Sequence, residues 1–199
     1  MSQIYTIGHS NLSLVEFLNL LEQHNIKAIA DVRSHPYSRY LPHFSQKPLQ
    51  EQLLQHQINY VFLGNQLGAR PTNSDCYVNG KAIYSKIAKT TEFKQGIQEL
   101  LTLTATNKTA IMCSEKDPIN CHRAILICQY LKSYNLEIVH ILTNGNLETH
   151  QDFESRLLEH TKLVKNSLQL SLFDYFNEEL LQKAYQNQGE KIAYKEKQD

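Results

Sequence analysis

The sequence lacks both a net charge and a long apolar run. Its 199 residues carry 20 Lys and Arg against 20 Asp and Glu. This balance excludes the broad positive surface of a typical nucleic-acid coat protein, although it is compatible with a local basic patch. No apolar stretch is long enough to cross a bilayer, and no basic segment precedes an apolar one near Met1. We therefore expect a cytoplasmic protein without membrane contacts.

Cysteine is scarce, with four residues at positions 76, 113, 121 and 128. In a cytoplasmic chain, cysteines serve more often as thiols, catalytic groups or metal ligands than as disulfides. Hydrophobic residues make up 41% of the chain, which excludes wholesale disorder and suffices for one domain with a core.

The hydrophobic pattern alternates between strands and helices. Strands are predicted at residues 4–7, 26–32, 58–63, 109–112 and 137–142, with a long loop at residues 65–90. Ser13 and Glu16 form a capping-box pattern before the first helix. We predict an α/β fold with three layers, in which helices cover both faces of a mostly parallel five-stranded sheet. Residues 1–150 form this domain, and residues 151–199 form a C-terminal helix and a helical or extended tail.

Ligands of such sheets bind outside the carboxyl ends of the strands. The segments that follow strand ends are residues 8–11, 31–39, 64–70 and 113–123, and most of the chemically capable side chains lie in them. The most informative segment runs from Cys113 to Arg123. A thiol near a helix N-terminus and a neighbouring arginine favour a thiolate, and the free amides of the first turn can hold an anion.

This segment supplies most of the candidate catalytic residues. They are Cys113, Glu115, Cys121, His122 and Arg123, joined by His9 as an acid or base from the first strand end. The alternative is structural: Cys121 is a buried residue of the first turn, His122 caps the helix or faces solvent, and Arg123 pairs with Glu115 or Asp117. For His9, the alternative is a hydrogen-bonding role in the fold. Cys76 and Cys128 are interpreted as bystanders.

Cys113, Cys121 and His122 are also a candidate zinc site, which His9 or Asp31 from a neighbouring strand could complete, although nothing in the sequence requires a cofactor. Two observations argue against it. The spacing is not that of a compact zinc knuckle, and Cys121 and His122 would point roughly 100° apart if both lay on one helix.

The segment after the second strand interleaves cations with aromatic residues. Arg33 and Arg39 could bind phosphates while Tyr37 and Tyr40 stack on bases. The alternative is a loop whose tyrosines cover the end of the sheet while Asp31 and Arg33 make local ion pairs. Both interpretations stay open.

Five motifs occur in order along the chain: Thr6-Ile7-Gly8-His9-Ser10; Asp31-Val32-Arg33-Ser34 with Pro36 and Ser38; Leu67-Gly68-Ala69-Arg70-Pro71; Cys113 with Glu115; and Cys121-His122-Arg123. Together they resemble the bacterial family called domain of unknown function 488, over about residues 3–150. Ala69 departs from the usual second glycine of its motif.

This resemblance implies one site shared by these motifs and does not name a substrate. The candidate substrate-binding residues are Ser10, Asp31, Arg33, Ser34, Ser38, Arg39 and Arg70.

Beyond that domain, Gln169-Leu170-Ser171-Leu172-Phe173 resembles the peptide by which bacterial replication and repair proteins dock on the DNA sliding clamp. In that motif, the pair corresponding to Leu172 and Phe173 fills an apolar cleft, and the residues corresponding to Gln169 and Leu170 complete the match. The alternative is a strand or helix entry packed on the domain.

Two functions follow from these observations. The first is a clamp-docking protein of DNA replication or repair, whose α/β domain binds an anion, a nucleotide or nucleic acid. The second is a stand-alone thiol- or metal-dependent enzyme for a small anionic metabolite.

Overall fold

A computed structural model describes residues 2–163 and 174–196 of the chain. The strands in these residues are β1 (Ser2–Gly8), β2 (Ala28–Asp31), β3 (Asn59–Phe62), β4 (Tyr77–Val78), β5 (Lys81–Ala82), β6 (Thr109–Cys113), β7 (Leu136–Ile141) and β8 (Leu147–Thr149). The α-helices are α1 (Leu14–Gln23), α2 (Gln46–Gln55), α3 (Gly64–Leu67), α4 (Tyr84–Ile87), α5 (Thr91–Thr106), α6 (Gln129–Leu131), α7 (His150–His160) and α8 (Asp174–Ile192). A π-helical segment, Arg123–Cys128, leads directly into α6.

The central sheet is mostly parallel, as predicted. Its strand order is β3-β2-β6-β1-β7-β8, and the first five strands of that order run parallel. These five are the predicted ones. The sheet has six strands rather than five, because β8 pairs antiparallel with β7 at the edge. The expected loop at residues 65–90 contains the short elements α3, β4, β5 and α4.

Local sequence signals explain how α1 begins. The Glu16 amide donates to Ser13 Oγ at 3.2 Å, and the Ser13 amide donates to Glu16 Oε2 at 2.7 Å. This is the predicted capping box, in which two amide groups of the helix start are satisfied by side chains. Side chains of β1 lie on both faces of the sheet: Ile4 joins a core cluster with α5, whereas Tyr5 and Ile7 join a second cluster with α1 and α2.

The C-terminal helices pack on the rest of the chain through a third cluster. Phe153 and Leu157 of α7 and Ala184 of α8 contact Ile119 and Ala124, which flank Cys121 in sequence. Gln188 of α8 also donates from Nε2 to the Ile119 carbonyl at 3.0 Å. The helices therefore help to hold the loop that precedes the π-helical segment.

A chain of buried polar groups links the sheet to α7 and α8. His140 Nε2 and His150 Nδ1 are 3.0 Å apart, His150 Nε2 lies 3.0 Å from the Tyr185 hydroxyl, and that hydroxyl donates to Glu154 at 2.9 Å. Because the Tyr185 hydroxyl donates to the carboxylate, it accepts from His150 Nε2. His150 Nδ1 then accepts from His140 Nε2, and His140 Nδ1 accepts from the Thr6 hydroxyl at 2.8 Å. Burial lowers the pKa of His150 to about 3, so this arrangement holds with neutral imidazoles.

Membrane-spanning potential is not found in the described part of the chain. Across residues 2–163 and 174–196, no helix combines the length and the apolar character that crossing a bilayer requires.

Candidate active site

The four predicted strand-end segments meet at one edge of the sheet. They follow β1, β2, β3 and β6, and these strands are neighbours in the order β3-β2-β6-β1. Backbone hydrogen bonds join the ends of β1 and β6: the His9 amide donates to the Cys113 carbonyl at 3.0 Å and the Ser10 amide to the Ser114 carbonyl at 2.8 Å. The sheet order thus brings distant motifs to a common edge.

Two thiols and an imidazole form a buried cluster at this edge, called here the Cys–Cys–His cluster. Cys113 Sγ lies 3.6 Å from His122 Nδ1, and Cys121 Sγ lies 4.0 Å from the same nitrogen. The ligand atoms of all three residues lie within 4.8 Å of one another. All three residues are buried: Cys113 is 6% exposed, His122 7% and Cys121 1%.

The backbone around Cys121 explains how adjacent side chains reach one point. Cys121 is extended, with φ −131° and ψ 137°, and it ends the 3₁₀ turn Pro118–Asn120, whereas His122 has helical angles. The sequence-based argument that the two side chains would diverge assumed that both lie on one helix. That assumption is wrong, because only His122 has entered the helical segment.

The hydrogen bond of His122 to the sheet fixes its tautomer. His122 Nε2 lies 3.1 Å from the Val32 carbonyl, just beyond β2. A carbonyl oxygen can only accept, so Nε2 carries the proton, and the lone pair of Nδ1 in the neutral ring faces the two thiols. The imidazole is therefore oriented to accept a proton or to bind a metal.

Arg123 is buried beside the cluster, with 0% of its surface exposed. Nη1 donates to the Glu115 carbonyl at 2.7 Å and Nη2 to the Lys116 carbonyl at 3.2 Å. Nε has no hydrogen-bond partner, and no carboxylate forms an ion pair with Arg123, among residues 2–163 and 174–196. The expected pairing with Glu115 or Asp117 is not observed. Arg123 therefore stabilises the loop that contains Glu115 and Lys116, and it does not face solvent, where it could bind a substrate anion.

The charge of Arg123 acts on the thiols instead. Burial raises the pKa of Cys121, but the hydrogen bond from Cys113 and the charge of Arg123 bring it well below its ordinary value. The pKa of Cys113 is raised well above its ordinary value, first by its hydrogen bond to Cys121 and then by burial. Of the two thiols, Cys121 is therefore the one that loses its proton more readily.

The loop between Cys113 and Cys121 is held on several sides. A Cβ atom at Gly8 would collide with the Glu115 carbonyl oxygen, so only glycine permits this approach of β1 to the loop. Arg156 of α7 donates from Nη1 to Asp117 at 2.9 and 3.0 Å. These contacts make the loop a rigid frame for the thiols.

His9, Asp31 and Arg33 form a separate buried network. Arg33 donates from Nε and Nη2 to Asp31 at 2.9 and 2.6 Å, and Tyr60 donates to Asp31 at 2.7 Å. Arg33 Nη1 lies 3.3 Å from His9 Nε2, and Phe44 stacks on the His9 ring. Burial, followed by the charge of Arg33, lowers the pKa of His9 to about 4. The structural alternative for Asp31 and Arg33 is thus observed, and sequence reasoning missed Tyr60.

The remaining predicted binding residues mostly shape loops. Ser34 Oγ accepts from the Arg70 amide and Ser38 Oγ from the Leu41 amide, both at 3.0 Å, and Ser10 Oγ donates to Asn11. The Arg70 guanidinium lies 4.4 Å from the centre of the Tyr194 ring.

Tyr37, Arg39 and Tyr40 are exposed. Tyr37 is 76% exposed and Tyr40 90%, so these rings do not cover the end of the sheet.

Glu115 and the clamp-like peptide are the remaining candidates from the sequence. The Glu115 side chain is exposed, and its pKa is raised, mainly by desolvation. The clamp-like peptide, Gln169 to Phe173, lies outside the described residues.

Comparison with known families gave one match. The family model described as domain of unknown function DUF488 matches residues 13–130, more than half of the chain. Comparisons with curated proteins and with solved structures gave no match.

Proposed function

The chain belongs to the family described as domain of unknown function DUF488, and we propose that it is an enzyme of nucleic-acid metabolism. Its reaction centre is the Cys–Cys–His cluster. The observation that carries this proposal is the convergence of two thiols and an oriented imidazole at the carboxyl edge of a parallel sheet. Such an edge is where ligands of this fold class bind, and such groups supply a nucleophile or a metal site.

The substrate class follows from the loop between β2 and α2. This loop begins at Val32, whose carbonyl holds His122, and it exposes Tyr37, Arg39 and Tyr40. Exposed aromatic rings stack on bases without a strong sequence preference, and an adjacent cation contacts phosphate. We infer that the substrate is a nucleotide or a single-stranded nucleic acid.

Removing one tyrosine tests this inference. Each stacked base contributes about 1–3 kcal/mol, so Tyr40→Ala is expected to weaken binding of a labelled single-stranded DNA by about 5- to 150-fold. Arg39→Ala is expected to reduce the slope of log affinity against log salt concentration by about 1. Fluorescence anisotropy at several salt concentrations measures both effects.

The matched control is Leu54→Ala, because Leu54 on α2 is an apolar side chain that is 75% exposed, compared with 90% for Tyr40. Affinity in this variant should equal that of the wild type. Equal binding by Tyr40→Ala and the wild type would refute the assignment of this loop, and so would the absence of any binding by the wild type.

A second proposal rests on the peptide Gln169-Leu170-Ser171-Leu172-Phe173. It agrees at all five positions with the common form of the sliding-clamp motif. Docking on the clamp would place the reaction centre close to DNA, and tethering raises the effective concentration of a domain that lacks net positive charge. The charge balance of the chain therefore favours recruitment by a partner over strong intrinsic DNA binding.

The double variant Gln169→Ala/Phe173→Ala is expected to weaken binding to a purified bacterial clamp by at least about 100-fold, since it removes the aromatic anchor of the motif. Surface plasmon resonance with immobilised clamp measures the affinity. Gln182→Ala, an exposed glutamine on α8, is the control and should bind normally.

Thermal unfolding of the double variant separates docking from packing. If the substitutions lower stability by several kcal/mol, as truncation of a core aromatic does, the peptide is part of the fold and the docking proposal fails.

A further inference from the structure

We propose that the Cys–Cys–His cluster binds a zinc ion through Cys113 Sγ, Cys121 Sγ and His122 Nδ1. The inference deepens the proposed function and rests on it, because the ion would be the cofactor of the same reaction centre. The positions of the three ligand atoms and the groups that surround them support a zinc ion at this place.

The spacing of the ligand atoms fits a tetrahedral ion. With Zn–S of about 2.3 Å and Zn–N of about 2.0 Å, a tetrahedral angle places sulfur and nitrogen about 3.6 Å apart. The observed distances from His122 Nδ1 are 3.6 Å to Cys113 Sγ and 4.0 Å to Cys121 Sγ. The three side chains thus need little movement to close around one ion.

The groups behind the ligands also fit a metal site. A histidine that binds metal usually donates its other ring nitrogen to a carbonyl or carboxylate, which fixes the ring and its tautomer. His122 does this through the Val32 carbonyl at 3.1 Å, leaving Nδ1 without a proton and facing the thiols. Val32 is fully buried and follows β2 directly, so the hydrogen bond fixes the His122 ring against the sheet.

The chemistry of the donor atoms selects the ion. Arg123 is buried beside the cluster, and within the described ranges 2–163 and 174–196 it has no carboxylate partner. Zinc with two thiolates and a neutral imidazole carries no net charge, while each sulfur keeps negative charge density that a neighbouring guanidinium can face. Two thiolates and an imidazole also select zinc over hard cations such as magnesium or calcium.

The coordination number indicates a catalytic rather than a structural ion. Structural zinc sites are closed by four protein ligands, whereas catalytic sites use three and leave a position for water or substrate. In the described part of the chain, only three residues contribute to the cluster. A fourth position on the ion would therefore be left to water or substrate.

Metal analysis of the purified full-length chain tests the inference. Zinc is measured by mass spectrometry after dialysis against metal-free buffer without chelator, and we expect one ion per chain. Replacement by cobalt(II) is expected to give thiolate-to-metal charge-transfer bands and the intense visible bands of a tetrahedral site. Cys113→Ala and Cys121→Ala should each weaken zinc binding by at least about 100-fold, since even loss of a supporting contact costs 10- to 100-fold.

Cys76→Ala is the matched control, because Cys76 is a buried free cysteine outside the cluster. It should keep one zinc per chain. The wild-type measurements decide the matter even if a cluster variant fails to fold: absence of zinc and of cobalt thiolate bands, or a Cys113–Cys121 disulfide as the resting state, would overturn the inference. Turnover by the metal-free chain would overturn it while leaving the proposed function intact, whereas bound zinc without turnover would do the reverse.

Discussion

Replacing Asp31 by asparagine is expected to lower the free energy of unfolding by about 3–5 kcal/mol. Asp31 is fully buried and accepts hydrogen bonds from the Arg33 side chain and from Tyr60. Asparagine keeps the shape of aspartate but removes its charge, which leaves the buried guanidinium of Arg33 without a counter-charge. Urea unfolding followed by circular dichroism measures the loss.

Two companion variants show whether the charge is responsible. Tyr60→Phe removes one hydrogen bond and keeps the ion pair, so it should cost about 1 kcal/mol. Asp31→Asn/Arg33→Met removes both charges and should recover part of the stability, because an uncompensated buried charge costs more than the absence of the pair. A single variant Asp31→Asn with wild-type stability would contradict the structural role of this network.

Loss of the hydrogen bonds among Asp31, Arg33 and Tyr60 would also disturb the Cys–Cys–His cluster. Val32 lies between Asp31 and Arg33 in sequence, and its carbonyl holds His122 in the tautomer that faces the thiols. Asp31 and Arg33 are therefore best understood as the support for this carbonyl, although the sequence also allowed a direct role in binding substrate.

The sequence predicted much of the fold because its signals are local. The five parallel strands follow from short apolar runs, and the start of α1 follows from Ser13 and Glu16. β8 was missed because three residues, Leu147 to Thr149, are too short to show a periodicity. The strand-end rule also selected four segments that do meet at one edge of the sheet, without any knowledge of strand order.

The fine geometry of the site could not be predicted, because it depends on single backbone angles and on long-range contacts. The extended conformation of Cys121 brings its thiol to His122, and a helical residue at this position would not. Arg123 points into the protein because the Glu115 and Lys116 carbonyls lie there. Neither the backbone angles of Cys121 nor the direction of the Arg123 side chain can be predicted from residue spacing or composition. The contact between Tyr60 and Asp31 cannot be predicted in this way either, because these residues are distant in sequence.

Loss of the Cys121 thiol is expected to have the largest effect on activity. Cys121 is 1% exposed and lies beside Cys113, His122 and Arg123. In the proposed function it is either the attacking sulfur or a metal ligand. Serine provides a smaller and harder oxygen that neither attacks as a thiolate nor binds zinc comparably. Removal of a residue with either role lowers turnover by about 1000-fold or more.

The most direct test of the reaction centre is turnover of nucleotides and short single-stranded DNA by the wild-type chain, Cys121→Ser and Cys76→Ala, measured side by side. We expect the wild type and Cys76→Ala to convert the same substrate at equal rates. Cys121→Ser should be folded by circular dichroism and slower by at least about 1000-fold. Equal turnover by Cys121→Ser and the wild type, or no conversion of any of these substrates by the wild type, would contradict the account.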